Sequence, residues 1–213
     1  MRFNPAAFDS HLNNIGQQFL WRRSYACPCV SPTSGASKPN CPQCRGKGRI
    51  WDATSTACVA GMANQKTAQE WAKFGMWQSG DAVVTIPQAS PMYDMGMFDR
   101  VVMLNSDDVF SLVLTRGGVN EKIFEPVKSV TRLFWLDAQS NIVDGALPTV
   151  ASDGTISWAT GATQPAVGTQ YTIQGMKFSE YFCFGPFPSD RNEHQGMRLP
   201  KRVVLRKFDL FGR

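Results

Sequence analysis

The sequence predicts a mainly β protein: a β-barrel or β-sandwich core, preceded by an N-terminal α-helix and a small zinc-binding loop. Three observations lead there. From Asp81 onward, short runs rich in Val, Ile, Phe and Thr alternate with turn residues. Near the N-terminus, apolar side chains recur at helical spacing. Between them, four cysteines fall within eighteen residues. With 213 residues, 43% of them hydrophobic, the chain can bury a core without relying on a metal. The expected organisation is residues 1–80 as helix, cysteine loop and extended arm, and residues 81–213 as a β-barrel core with a hairpin insertion.

The helix has a marked start. Asn4 suits the N-cap, Pro5 the first helical position, and Phe3 with Phe8 has the spacing of a hydrophobic staple. Phe8, Leu12, Ile15 and Phe19 then form one apolar stripe. His11 lies off that stripe and reads as a surface residue.

Cys27-Pro-Cys29 and Cys41-Pro-Gln-Cys44 follow, two tight pairs separated by one loop. A tetrahedral Zn²⁺ must be reached by four thiolates from a short stretch of backbone, and this spacing does that. Four cysteine ligands leave no open coordination position, so the metal is expected to be structural. A pair of disulfides is the competing reading and iron–sulfur ligation a further one. No apolar stretch resembling a signal peptide follows Met1, which favours metal over disulfides. Gly46 and Gly48 let the backbone turn toward the sulfurs. Cys58 and Cys183 stand apart and read as small buried hydrophobes.

Residues 52–80 show weak periodicity, with a short helix expected over 67–74 or else a long arm. Trp71, Phe74 and Trp77 are large anchors, expected to fill pockets on a neighbouring subunit, the alternative being that the arm folds back on its own barrel. Beyond it, strands are expected over 82–86, 100–104, 109–115, 122–125, 127–136, 155–158, 171–178 and 203–208. Gly117-Gly118, Asn141 and Asp153-Gly154 supply turns, and Asp107-Asp108 reads as a further turn. Phe178, Tyr181, Phe182, Phe184, Phe187 and Phe208 crowd the last third, as barrel core extending to an interface.

The net charge is +5, a moderate excess that suits contact with nucleic acid or an acidic partner. Basic residues gather around the cysteines and again at the C-terminus. No run approaches the ~18 apolar residues of a membrane helix. There is no phosphate-cradling glycine motif, no P-loop and no nucleophile elbow, and the two histidines, His11 and His194, sit in unrelated contexts. A structural or binding role is therefore expected rather than an enzyme.

A helix leading into Trp-Arg-Arg-x-x-x-Cys-Pro-Cys, then Cys-Pro-x-Cys-x-Gly-x-Gly-x-Ile-Trp, resembles a group of small virion proteins of tailed bacteriophages. The segments 80–86 and 98–102 resemble the strands of head-closure or neck proteins, and 153–158 with 165–173 a β-module of phage structural proteins. The resemblance implies a homo-oligomeric ring, hexamer or dodecamer, at the head-to-tail junction of the virion. It would contact portal or adaptor and tail proteins, with non-specific contact to genomic DNA in the passage it lines and no membrane. A tail or baseplate component and a zinc-ribbon nucleic-acid-binding protein are the alternatives. The cysteine stretch is also similar to one repeat of the zinc domain of J-domain co-chaperones, which carry several such repeats.

Overall fold

In the computed structural model, the residues described are 5–62, 65–187, 193–194 and 196–211. Phe3 and Asn4, the expected staple and N-cap, lie outside them. The chain divides into two compact units, Met1–Leu104 with Glu180–Arg213, and Asn105–Ser179. The fold is mainly β.

In the first unit, α1 (Pro5–Ile15) is followed at once by β1 (Gln17–Arg22), and the four cysteines lie between β2 (Ser24–Ala26) and β3 (Arg49–Trp51). β4 (Thr56–Met62), α2 (Gln65–Ala72) and β5 (Ala82–Ile86) come next, and β6 (Arg100–Thr115) carries the chain from this unit into the second. There β7 (Val127–Leu136), β8 (Ile142–Asp144), β9 (Thr149–Val150) and β10 (Ile156–Ser157) follow, and β11 (Gln170–Pro186) leads back. The short β12 (Glu193–His194) and β13 (Met197–Arg198) pair with each other ahead of β14 (Lys201–Lys207).

The main sheet has the order β14-β5-β4-β1-β6-β11-β7-β8, and β14 also pairs with β11, so six strands form an unbroken cycle of pairings. Alternate residues of those six face one interior: Phe19 and Trp21, Cys58 and Ala60, Val84 and Ile86, Val101 and Met103, Tyr181 and Cys183, Val203 and Leu205. This is the period of two that a sheet with one buried face demands. Met92 and Met95, in and just after a 3₁₀ turn over Pro91–Asp94, fill the same core. On the other face of β5 and β14, Val83 and Val204 pack with Trp71 and Phe187. Both faces of these two strands are thus covered, and their centres, Ala82-Val83-Val84 and Val203-Val204-Leu205, are apolar without alternation.

Several expectations change here. The stripe of Phe8, Leu12, Ile15 and Phe19 is not one helix face, because the helix ends at Ile15 and Phe19 is a fully buried β1 residue. Phe8 and Ile15 are exposed, and only Leu12 is buried, against Gly61 of β4. Asp107-Asp108 is no turn: β6 runs through it for 16 residues. Asp107 pairs with Lys128, and Asp108 accepts a hydrogen bond from Ser179 Oγ at 3.0 Å, which satisfies both carboxylates without ending the strand. The strand expected over 122–125 is a single bridge, Lys122 to Thr155.

The second unit has its own core of Phe110, Ile123, Leu133, Tyr171 and Ile173. Its Asp153-Gly154 turn forms as expected: Gly154 has φ +84°, and a Cβ there would meet the Ile123 carbonyl oxygen at 1.8 Å, so only glycine fits. The half-buried Glu121 carboxylate accepts from Arg116, from the Gly117 backbone N–H at 2.7 Å and from Tyr171 Oη at 2.9 Å, and so ties the tip of β6 to β11.

Candidate metal centre

β2 and β3 pair antiparallel, Ser24 with Trp51, Tyr25 with Ile50 and Ala26 with Arg49, and so bring the two ends of the cysteine loop together. The Cys27 backbone N–H donates to the Gly48 carbonyl at 2.9 Å, continuing the ladder into the loop. Two tight turns then present the sulfurs. Val30 N–H donates to the Cys27 carbonyl, and Arg45 N–H donates to the Cys41 carbonyl at 2.8 Å. Gly46 has φ +79°, and a Cβ on it would lie 3.1 Å from the Pro39 carbonyl oxygen, so the second turn needs glycine there.

All four sulfurs lie within 4.8 Å of one another. Cys27 Sγ is 3.8 Å from Cys41 Sγ, and Cys29 Sγ is 3.4 Å from Cys44 Sγ. A tetrahedron of thiolates around a Zn²⁺ at ~2.3 Å has edges of about 3.8 Å, so the four residues fit such an ion. All four cysteines are free thiols, and Cys27, Cys41 and Cys44 are buried.

The electrostatics of the thiols fit the same reading. Backbone N–H groups of Cys44 and then Gln43 donate to the Cys41 sulfur and bring its thiol down to about 6. The Lys38 N–H donates likewise to Cys29, but burial and the three neighbouring sulfurs outweigh it and push that thiol up to about 12. Four thiolates this close repel one another, and a divalent cation at their centre is what lets all four ionise together. With four protein sulfurs around it, such an ion has no position left for substrate or water. Cys58 and Cys183 are separate: burial pushes each thiol up to about 12, as expected of small core residues.

The lobe is fastened to its own unit by contacts that the sequence reading did not anticipate. Asp99, 2% exposed, accepts from Trp21 Nε1 at 2.9 Å, the Ser24 backbone N–H at 2.7 Å and the Gly96 N–H at 3.0 Å. It therefore anchors the first residue of β2 to the core. Trp51 Nε1 donates to the Phe98 carbonyl at 2.9 Å, and the Trp51 ring meets Phe208 and Phe211 edge-on. Lys47 lies over both of those phenylalanines and donates to the Phe211 carbonyl at 3.3 Å. The only early signal for this clasp is the Phe98-Asp99-Arg100 step and the aromatic pair near the C-terminus.

Trp71, Phe74 and Trp77 part company. Trp71 is 2% exposed, buried against Phe184, Phe187, Val83 and Val204, and its Nε1 donates to Asp81 Oδ2 at 3.1 Å. It is spent on its own sheet, so its role as an anchor for a neighbour is corrected. Phe74 and Trp77 remain 48% and 47% exposed. His11 is exposed and is not among the metal-binding group. No helix among the described residues is long and apolar enough to cross a membrane. Compared with protein-family models and with curated proteins, the sequence matches none.

Proposed function

We propose that this chain is a structural protein of a tailed-bacteriophage virion, one subunit of a homo-oligomeric ring at the head-to-tail junction, with Zn²⁺ on Cys27, Cys29, Cys41 and Cys44 as an internal cross-link. It acts through surfaces and not through chemistry at an active site. The resemblance of the cysteine motif and of the β segments supports the virion assignment. One structural observation supports assembly: an apolar turn, Phe74, Met76 and Trp77, that is nearly half exposed yet firmly held. Arg206 donates to the Met76 carbonyl and pairs with Asp81, while Asp81 Oδ2 also accepts from the Gln78 N–H at 3.1 Å. Mobile apolar residues on a surface mean little. A turn whose backbone is held at Met76 and Gln78 by a buried ion pair has already lost part of the conformational freedom that binding would otherwise cost, and it suits an interface with the next subunit.

The double substitution Phe74→Ser/Trp77→Ser is expected to abolish the ring and leave soluble monomers with an unchanged far-UV circular dichroism spectrum. Size-exclusion chromatography with light scattering reads the first and the spectrum the second. Wild-type protein that is monomeric both in solution and in its native particle overturns the proposal.

A further inference from the structure

The metal lobe carries a positive excess undiluted by any carboxylate, whereas the second basic cluster, at 198–213, is offset by acidic residues elsewhere in the chain. The chain has 22 Lys and Arg against 17 Asp and Glu, and residues 22–51 hold six of the basic residues and none of the acidic ones. The remainder, 16 against 17, is nearly neutral. Four thiolates on a Zn²⁺ carry a net charge of about −2, so the loaded lobe remains strongly positive. Arg23, Lys38, Arg45 and Lys47 are exposed, whereas Arg22 and Arg49 are half-buried, Arg49 over the Phe98 ring at 4.4 Å. Beside the lobe runs an open groove of about 630 Å³, whose lining includes Ser37, Arg45, Gly46 and Lys47, with Asp209 as its one acidic member.

From this placement we infer that the metal lobe is a docking surface for the phosphate backbone of duplex nucleic acid, bound without regard to sequence. The inference gives the nucleic-acid contact expected from the sequence a place on the metal lobe, and it does not depend on the ring. A basic surface of this strength needs a polyanion, and two features favour nucleic acid over an acidic protein. Tyr25 is the one large hydrophobic residue of segment 22–51 that stands exposed, so the lobe lacks the apolar centre of a protein interface. Around its cations it carries small donors instead, exposed Thr33, Ser34, Asn40 and Gln43, which are side chains that hydrogen-bond phosphate and sugar oxygens. The metal cross-link supports this role, because a lobe of so many like charges holds together only if something other than an apolar core fixes its backbone.

The test is fluorescence anisotropy of a labelled 30-base-pair duplex of arbitrary sequence, titrated with the full zinc-loaded chain at several salt concentrations. Four exposed cations predict a log–log slope near −3.6, or roughly a 100-fold loss of affinity between about 50 and about 200 mM salt. Lys38→Gln/Arg45→Gln, checked for retained zinc and an unchanged circular dichroism spectrum, is expected to halve that slope, so that the same salt step costs only about tenfold. Asp209→Asn is expected to tighten binding. The slope persists in the Phe74→Ser/Trp77→Ser chain, which separates this inference from the fate of the ring; a slope that disappears with the ring overturns the assignment to the lobe. So does an unchanged slope in the Lys38/Arg45 variant, or a poly-glutamate peptide bound as tightly as the duplex, which would assign the lobe to an acidic protein.

Discussion

Asp81→Ala is expected to destabilise the first unit by about 3–5 kcal/mol, the range for removing one member of a buried ion pair. The Asp81 side chain is 1% exposed and that of Arg206 10%. The pair is bidentate, Nε to Oδ1 at 3.0 Å and Nη2 to Oδ2 at 2.9 Å, and the Arg206 guanidinium also lies 3.9 Å from the centre of the Phe184 ring. Alanine leaves that guanidinium charged without its carboxylate, and it takes away the acceptor of Trp71 Nε1 and of the Gln78 N–H. The loss is a large part of the ~5–15 kcal/mol that holds a typical domain together. Urea denaturation followed by tryptophan fluorescence measures it. A change below about 1 kcal/mol, the size of a surface ion pair, would show that this pair is solvated and does not fasten the arm.

Cys41→Ser is expected to release the metal and unfold the lobe locally while the β core stays intact. The backbone N–H groups of Cys44 and Gln43 converge on the Cys41 sulfur and lower its thiol pKa, which prepares it to bind a cation. Without the metal, the loop from Cys27 to Gly48 has few apolar contacts of its own beyond Val30 and Ile50. Hydrogen exchange locates the effect. The amides of Cys27, Arg45 and Lys47, which donate to Gly48, Cys41 and Cys44, should lose protection, while those of β1, β5 and β14 keep theirs. The reason for the split is the core itself: Phe19, Val84, Ile86, Val203 and Leu205 are fully buried without any contribution from the lobe. Loss of the far-UV β signal on this substitution would contradict the separation.

How far the sequence went depends on which physical signal each element carries. The cysteine centre was legible because ligand spacing is a local property, set by a short loop and two turns. The later strands were legible where burial on one face gives alternation, as at the start of β11, where buried Tyr171 and Ile173 alternate with half-buried Thr172 and Gln174, or where burial on both faces gives a short apolar run, as in Ala82-Val83-Val84 of β5 and Val203-Val204-Leu205 of β14. β1 was hidden because Phe19 satisfies two periods at once, four residues after Ile15 in a helix and two before Trp21 in a strand. β4 was hidden by its small residues, Ala57, Ala60 and Gly61, which carry little hydrophobic signal, although Gly61 leaves the room that Leu12 fills. The continuity of β6 through Asp107-Asp108 depends on Lys128 and Ser179, partners far along the chain that no local rule identifies. The same holds for Asp99 and for the clasp of Lys47 on Phe208 and Phe211, which arise only when distant segments meet.

The claim that Cys27, Cys29, Cys41 and Cys44 together hold one structural Zn²⁺ is tested most directly by native mass spectrometry of the intact chain, purified under reducing conditions, with elemental analysis of the same sample. The account predicts a single zinc per chain, lost with release of four titratable thiols. Less than about half an equivalent of zinc where one metal per four thiolates is expected, or a mass showing a disulfide among these cysteines, would contradict it.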